Sequence, residues 1–198
     1  MKREVVLIDA GGTNIGSVSY ALERLGARAI LTDDAGLIRS AERVVLPGVG
    51  AAGPGMARLR AANLVQTIQE LTQPVLGVCL GMQLLYGHSE EGDTECLGAL
   101  PGRVRRLPGG PGLRVPHMGW NLLEPLRDDP LLDGIKQPSW AYFVHTYAAA
   151  PDAATVAAST HGGPFAAVVR SGNFCGMQFH PERSSLVGAR LLENFLNQ

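Results

Sequence analysis

Cys79 closes an apolar run, Val75-Leu76-Gly77-Val78-Cys79, and is followed by Leu80-Gly81-Met82-Gln83. Far along the chain a second apolar run, Gly176-Met177-Gln178-Phe179, ends in His180-Pro181-Glu182. A thiol, an imidazole and a carboxylate are the nucleophile, base and orienting acid that acyl transfer through a thioester requires. Gly77 and Gly81 flank the cysteine at the spacing of the Gly-x-nucleophile-x-Gly elbow, with Cys in the nucleophile's place. On that reading Val75 to Val78 form a buried strand and Leu80 to Tyr86 the helix that follows. The helix N-terminus favours a thiolate at Cys79, and the Leu80 N–H faces the place where an oxyanion would form. A lone cysteine at a strand end is more often inert packing; His180 and Glu182 are what shift the reading toward chemistry.

Other segments are weaker alone. Pro47-Gly48-Val49-Gly50 follows a strand and reads first as a tight loop. Beside an elbow it could bring backbone N–H groups, through Val49 and Gly50, against an acyl oxygen, since glycine permits unusual peptide orientations. Pro116-His117-Met118-Gly119-Trp120-Asn121 places aromatic and polar groups after a glycine-rich loop. Alone, Trp120 reads as core and His117 as a structural histidine. Tyr142-Phe143-Val144-His145-Thr146-Tyr147 is a strand carrying a rival base, His145, which spacing does not exclude. His180 is preferred because Glu182 lies two residues on. His88 and His161 have no evident partner and read as solvent-exposed. Cys96 and Cys175 read as packing residues.

The elements that must position these groups alternate. Val5 to Ile8 is a continuous apolar run, as in a strand buried on both faces. The turn Ala10-Gly11-Gly12-Thr13-Asn14 offers Thr13 or Asn14 as a helix cap. A helix follows, with Val18, Ala21, Leu22 and Leu25 on one face and Gly26 at its end. Arg28 to Leu31 and Arg43 to Leu46 read as strands, Met56 to Leu71 as one helix. This rhythm predicts an α/β fold with a mostly parallel sheet and flanking helices. The second half is richer in Gly and Pro, with Pro108 to Gly112 an exposed loop tip. Ala141 to Tyr147, Ala166 to Arg170 and Phe174 to Phe179 read as strands. Ser184 or Ser185 caps a last helix carrying Val187, Leu191, Leu192 and Phe195.

At 198 residues, with 45% hydrophobic and 18% charged content, the chain reads as a single globular domain over 1–198. A net charge of −1 without a long basic run argues against nucleic-acid or anionic-membrane partners. The apolar run after Met1-Lys2-Arg3 ends at Asp9, too short for a signal-peptide core. Three cysteines without a Cys-x-x-Cys pair argue against a disulfide framework or zinc site and suit a reducing cytoplasm. No dinucleotide fingerprint or Walker sequence is present, and no cofactor is expected.

The segments Gly77-Val78-Cys79-Leu80-Gly81-Met82-Gln83 and Phe179-His180-Pro181-Glu182 resemble the nucleophile and His/Glu motifs of the class I, triad-type glutamine amidotransferases. Four further segments narrow the resemblance to the glutaminase subunits of imidazole glycerol phosphate synthases. They are Leu46-Pro47-Gly48-Val49-Gly50, Pro116 to Asn121, Tyr142 to Tyr147 and His180-Pro181-Glu182-Arg183-Ser184. The likeness runs over essentially the whole chain. It implies a flavodoxin-like α/β domain with Cys79, His180 and Glu182 as triad. It implies glutamine lying along Gly50, Gln83, Glu91 and the His145-Thr146-Tyr147 backbone, which turns His145 from rival base to substrate wall. It also implies a (β/α)8 cyclase subunit as heterodimer partner, with Asn14, Trp120 and Asn121 near the interface. Arg183 stands where Lys is commoner, and the Ala10 to Asn14 turn is a residue or so longer than expected. The competing readings are another amidotransferase subunit, such as one serving pyridoxal phosphate synthesis, a thiol hydrolase on the same fold, or a binding module that has lost its chemistry.

Overall fold

The computed structural model describes residues 3–10 and 15–198. In chain order its elements are β1 (Glu4–Ile8), α1 (Ile15–Arg24), β2 (Arg28–Thr32), α2 (Ala35–Ser40), β3 (Val44–Gly48), α3 (Ala52–Ala61), α4 (Leu64–Gln69), β4 (Val75–Cys79) and α5 (Leu80–Leu85). There follow β5 (Tyr86–Ser89), β6 (Thr94–Glu95), β7 (Leu100–Arg106), β8 (His117–Pro125), β9 (Ser139–His145), β10 (Tyr147–Ala149), β11 (Thr155–Thr160), β12 (Pro164–Ser171), β13 (Phe174–Met177) and α6 (Ser185–Leu196). The Ala10 to Asn14 turn and its caps lie largely outside the described residues, as does Asn14.

A nine-stranded sheet has the order β2-β1-β3-β4-β13-β12-β11-β8-β9. Strands β2, β1, β3, β4 and β13 run parallel, as the alternating pattern predicts. The sheet then continues antiparallel through β12, β11, β8 and β9. A four-stranded sheet, β10-β7-β5-β6, adjoins it.

The parallel strands are apolar throughout because both faces are covered. Val5, Leu7, Val45, Leu76 and Val78 pack with Val18 and Leu22 of α1 and Leu191, Leu192 and Phe195 of α6. Their alternates Val6, Ile8, Val44, Leu46 and Val75 pack with Ile38, Met56, Leu59, Leu64, Ile68 and Leu84 on the other side.

Some elements differ from expectation. The single helix over Met56 to Leu71 is two, α3 and α4, because Asn63 sits in the left-handed region (φ 56°), which Asn tolerates and a helix does not. Helix α2 went unpredicted, although Asp34 caps it by accepting the Leu37 N–H at 2.8 Å. The strand expected over Ala141 to Tyr147 breaks at Thr146 into β9 and β10. Strand β11 was also unpredicted. Neither serine caps α6 with its side chain: the Ser184 hydroxyl donates to the His180 carbonyl at 2.7 Å and accepts the Tyr142 N–H at 2.9 Å.

Candidate active site

Strand register brings the motif residues together. Gly48 pairs with Cys79 on one side of β4, and Met177 pairs with Val78 on the other. The loop after β3 and the chain after β13 therefore leave the sheet on either side of the cysteine. Cys79 itself has φ 54° and ψ −111°, a conformation L side chains rarely adopt. Such strain persists only where the surroundings over-determine it. The glycines show how: a Cβ on Gly77 would lie 2.7 Å from the Met82 backbone nitrogen, and one on Gly81 would overlap the Leu46 carbonyl oxygen. Strand and helix thus cross backbone to backbone, and the turn between them lifts Cys79 into a cavity.

That cavity, of about 310 Å³, is lined by Val49, Gly50, Cys79, Leu80, Gln83, Glu91, Pro116, Val144, His145, Thr146, Tyr147 and His180. Its size suits a small metabolite. His180 lines the cavity together with Cys79 and meets Glu182 Oε1 through Nδ1 at 3.0 Å. Both side chains are nearly excluded from water, at 9% and 2% exposure. Burial pulls the His180 pKa down, but the hydrogen bonds and charges of Cys79 and Glu182 outweigh it and lift the imidazole to about 10. With Nδ1 on the carboxylate, Nε2 is the nitrogen left for the thiol.

His145 is placed otherwise. Its Nδ1 bonds the Tyr147 carbonyl at 2.9 Å and its Nε2 bonds His117 at 3.0 Å, so both ring nitrogens are engaged away from the thiol. Its backbone, with Thr146 and Tyr147, forms the cavity wall. Gln83 donates to the Tyr147 carbonyl at 2.8 Å, and a Glu91 oxygen accepts the Ala52 N–H at 2.7 Å at the start of α3. Gly50 has φ +101° in the loop beside Leu80.

A scan of family models matches residues 6–198 to the class-I glutamine amidotransferases. The chain belongs to that family. Among curated amidotransferase relatives, the imidazole glycerol phosphate synthase subunit HisH of Xanthomonas campestris pv. campestris is 61% identical over 193 residues, covering 98% of this chain and 96% of the relative. The protein of that name from Xylella fastidiosa is 58% identical over the same span. A crystal structure of a glutamine amidotransferase matches with a TM-score of 0.76 at 20% identity, over 98% of this chain and 97% of that one. A structure of PurLQS from Thermotoga maritima gives 0.74 at 22% identity, over 100% and 99%. The two structures speak for the fold.

In this amidotransferase the other cysteines are held apart from the cavity. Burial pushes the Cys96 thiol up to about 11 and the Cys175 thiol up to about 12. Trp120 and Asn121 are not in the cavity but on β8, Trp120 outward and 51% exposed. His88 and His161, expected to be exposed and unpartnered, are half-buried: His88 bonds Asp93 at 2.9 Å, and His161 bonds the Arg114 carbonyl at 2.7 Å and stacks on His117. Sequence reading passed over Gln178, whose amide nitrogen lies 3.9 Å from Cys79 Sγ and whose Oε1 accepts from Gln83 at 3.0 Å. A polar residue inside an otherwise apolar run was its signal.

Proposed function

We propose that this chain is the glutaminase subunit of an imidazole glycerol phosphate synthase. On this reading it forms one amidotransferase domain over 1–198 and hydrolyses glutamine to glutamate and ammonia. The ammonia passes to a (β/α)8 cyclase subunit, in a cytoplasmic heterodimer serving histidine biosynthesis. The observation that carries the chemistry is His180, held by Glu182 at 3.0 Å, lining with Cys79 one cavity of metabolite size. The pathway rests on 61% identity to the relatives bearing that name.

Glutamine lies along Gly50, Gln83 and the His145-Thr146-Tyr147 backbone, with the Glu91 carboxylate available to its α-amino group. The Cys79 thiolate attacks the γ-carbonyl carbon, and the N–H groups of Leu80 and of the Val49–Gly50 stretch receive the oxyanion. His180, holding its Nδ1 proton on Glu182, gives the Nε2 proton to the departing ammonia. It then takes a proton from water, which attacks the thioester carbonyl and releases glutamate and the thiolate.

Losing one oxyanion donor typically costs about a hundredfold or more in rate. The loop through Val49 and Gly50 is thus a natural place to hold activity back until a partner orders it. The cyclase-facing surface is argued from β8 and β9: Met118, Trp120 and Trp140 are 64%, 51% and 47% exposed. Register sets Met118 beside Val144 and Trp120 beside Tyr142, and Val144 also lines the cavity. An apolar ridge running to the cavity mouth marks an interaction surface.

The test is glutamate production from glutamine with and without a cyclase subunit and its nucleotide ligand, with Cys79→Ala as control. Low activity alone and strong, Cys79-dependent stimulation by the pair is expected. Activity indifferent to the cyclase would point to another partner, and none under any condition would remove the glutaminase reading.

A further inference from the structure

His117 and His145 face each other across β8 and β9 as a directly paired register position, and a string of hydrogen bonds runs through them. Asn121 Nδ2 meets His117 Nε2 at 3.3 Å, His117 Nδ1 meets His145 Nε2 at 3.0 Å, and His145 Nδ1 meets the Tyr147 carbonyl at 2.9 Å. The direction of this string is fixed from both ends. A carbonyl only accepts, so His145 Nδ1 carries a proton and its Nε2 a lone pair. His117 must then donate from Nδ1 and accept at Nε2. At the far end the Asn121 amide is oriented independently: its nitrogen also donates to the Thr160 carbonyl at 2.8 Å, and its oxygen accepts the Leu122 N–H at 2.8 Å. Its nitrogen therefore donates to His117, as the other end demands. The tautomers are assigned from these fixed partners.

The string has room for one proton on each ring. A second proton on either would set two donors face to face. The surroundings agree. Burial, then the neighbouring His161, lowers His117 to about 4. Burial lowers His145 to about 3, with His117, His161 and His180 adding to it against the Tyr147 carbonyl bond. Phe143 and Phe165 pack around His117, and the titratable groups facing the pair are His161, stacked at 4.3 Å, and His180.

Beyond Tyr147 the string continues into the cavity. The Tyr147 carbonyl holds a second donor, Gln83 Nε2, which reaches Gln178, whose amide nitrogen lies beside Cys79 Sγ. We propose that His117 is a positioning residue for glutamine: through His145 it holds the Tyr147 carbonyl and Gln83 in the orientation in which the cavity wall accepts substrate, and it ties that wall to Asn121, four residues along β8. The inference rests on the glutaminase reading above. It gives the partner a route inward, because displacing the Asn121 amide removes the donor that His117 Nε2 requires.

The experiment measures kcat and the glutamine KM separately, in the complex with a cyclase subunit and its nucleotide ligand, for wild type, His117→Phe and His117→Asn. His117→Phe leaves His145 Nε2 unpaired and is expected to raise KM about tenfold with kcat changed less than about threefold. His117→Asn can place an amide N–H where Nδ1 was, and is expected to recover most of the loss. The rate of Cys79 alkylation by iodoacetamide stays at the wild-type value in both, which a merely disrupted fold would not allow. An unchanged KM in His117→Phe, or no recovery in His117→Asn, overturns the inference and leaves the glutaminase reading standing. Absence of glutaminase activity in the wild type overturns that reading and the inference with it. Should His117→Phe fail to fold, nitrogen-15 NMR of the wild-type histidines decides. Two neutral Nδ1–H rings at pH 7 support the string, and an Nε2–H or doubly protonated ring at either position overturns it.

Discussion

Burial alone would leave His180 neutral; the Glu182 carboxylate at 3.0 Å and the bond to Cys79 keep it protonated instead, with a pKa raised to about 10. Glu182→Gln preserves an oxygen for the Nδ1–H but removes the charge. Its kcat is expected to fall by about a thousandfold or more, in line with loss of the orienting carboxylate in Ser-His-Asp triads. The alkaline limb of its pH–rate profile moves to lower pH, which stopped-time glutamate assays across pH 6 to 10 would show. The stability sign is the same. A raised imidazole pKa contributes stability that is complete below the ordinary value of 6.5 and is lost as pH rises through about 10. Denaturant midpoints of the wild type should thus fall toward Glu182→Gln over that window. Cys79, His180 and Glu182 were legible because an elbow and a His-Pro-Glu segment are local patterns. The pairing of His117 with His145 was not. Each histidine stood out singly, but their contact depends on the register of two strands, which no local spacing encodes.

Helix α5 meets strand β4 at Gly77 and strand β3 at Gly81, and those two contacts set the elbow. Gly81→Ala puts a methyl group onto the Leu46 carbonyl, with backbone on both sides and no flexible side chain to yield. The loss of stability is expected at or above the upper end of the roughly 1–3 kcal/mol usual for overpacking, measured by urea denaturation; a loss below about 1 kcal/mol would contradict the close crossing described. The parallel strands and the first and last helices were legible from continuous apolar runs and helical periodicity. The antiparallel part was harder. Strand β11, Thr155–Thr160, has Ala157, Ala158 and Ser159 at its centre and is buried at its first five positions, so it lacks the apolar–polar alternation that marks strands. The break between α3 and α4 turns on one residue, Asn63, whose left-handed conformation the surrounding apolar periodicity hides. Ser184 shows a similar competition: its position suits a cap, but tertiary bonds to His180 and Tyr142 claim its hydroxyl.

Across the whole molecule, the sheet divides its work. Its parallel half is sealed by helices on both faces and carries Cys79, the proposed nucleophile, at a strand end, where open α/β sheets place their ligands. Its antiparallel half leaves an apolar face of β8 and β9 exposed beside the cavity. Trp120→Ala tests whether that face serves association. The unassociated chain should keep its stability within about 0.5 kcal/mol, as for other exposed substitutions. Affinity for a cyclase subunit should drop tenfold or more, as for an aromatic anchor. Calorimetric titration would read the second and thermal melting the first; unchanged affinity would move the docking surface elsewhere. Taken alone Trp120 reads as core, and its 51% exposure was not legible, since an exposed tryptophan and a buried one look alike in sequence.

The backbone of Cys79, at φ 54° and ψ −111°, has a consequence for how such a protein ages in evolution. That conformation costs a cysteine on the order of 1–3 kcal/mol and costs a glycine almost nothing. The fold alone would be better served by deleting this side chain. If Cys79 is the nucleophile proposed above, then where demand for its reaction lapses drift has a downhill path to glycine at this position, and a laboratory screen for heat resistance would find the same path. On that mechanism the cysteine endures only under continued selection for turnover.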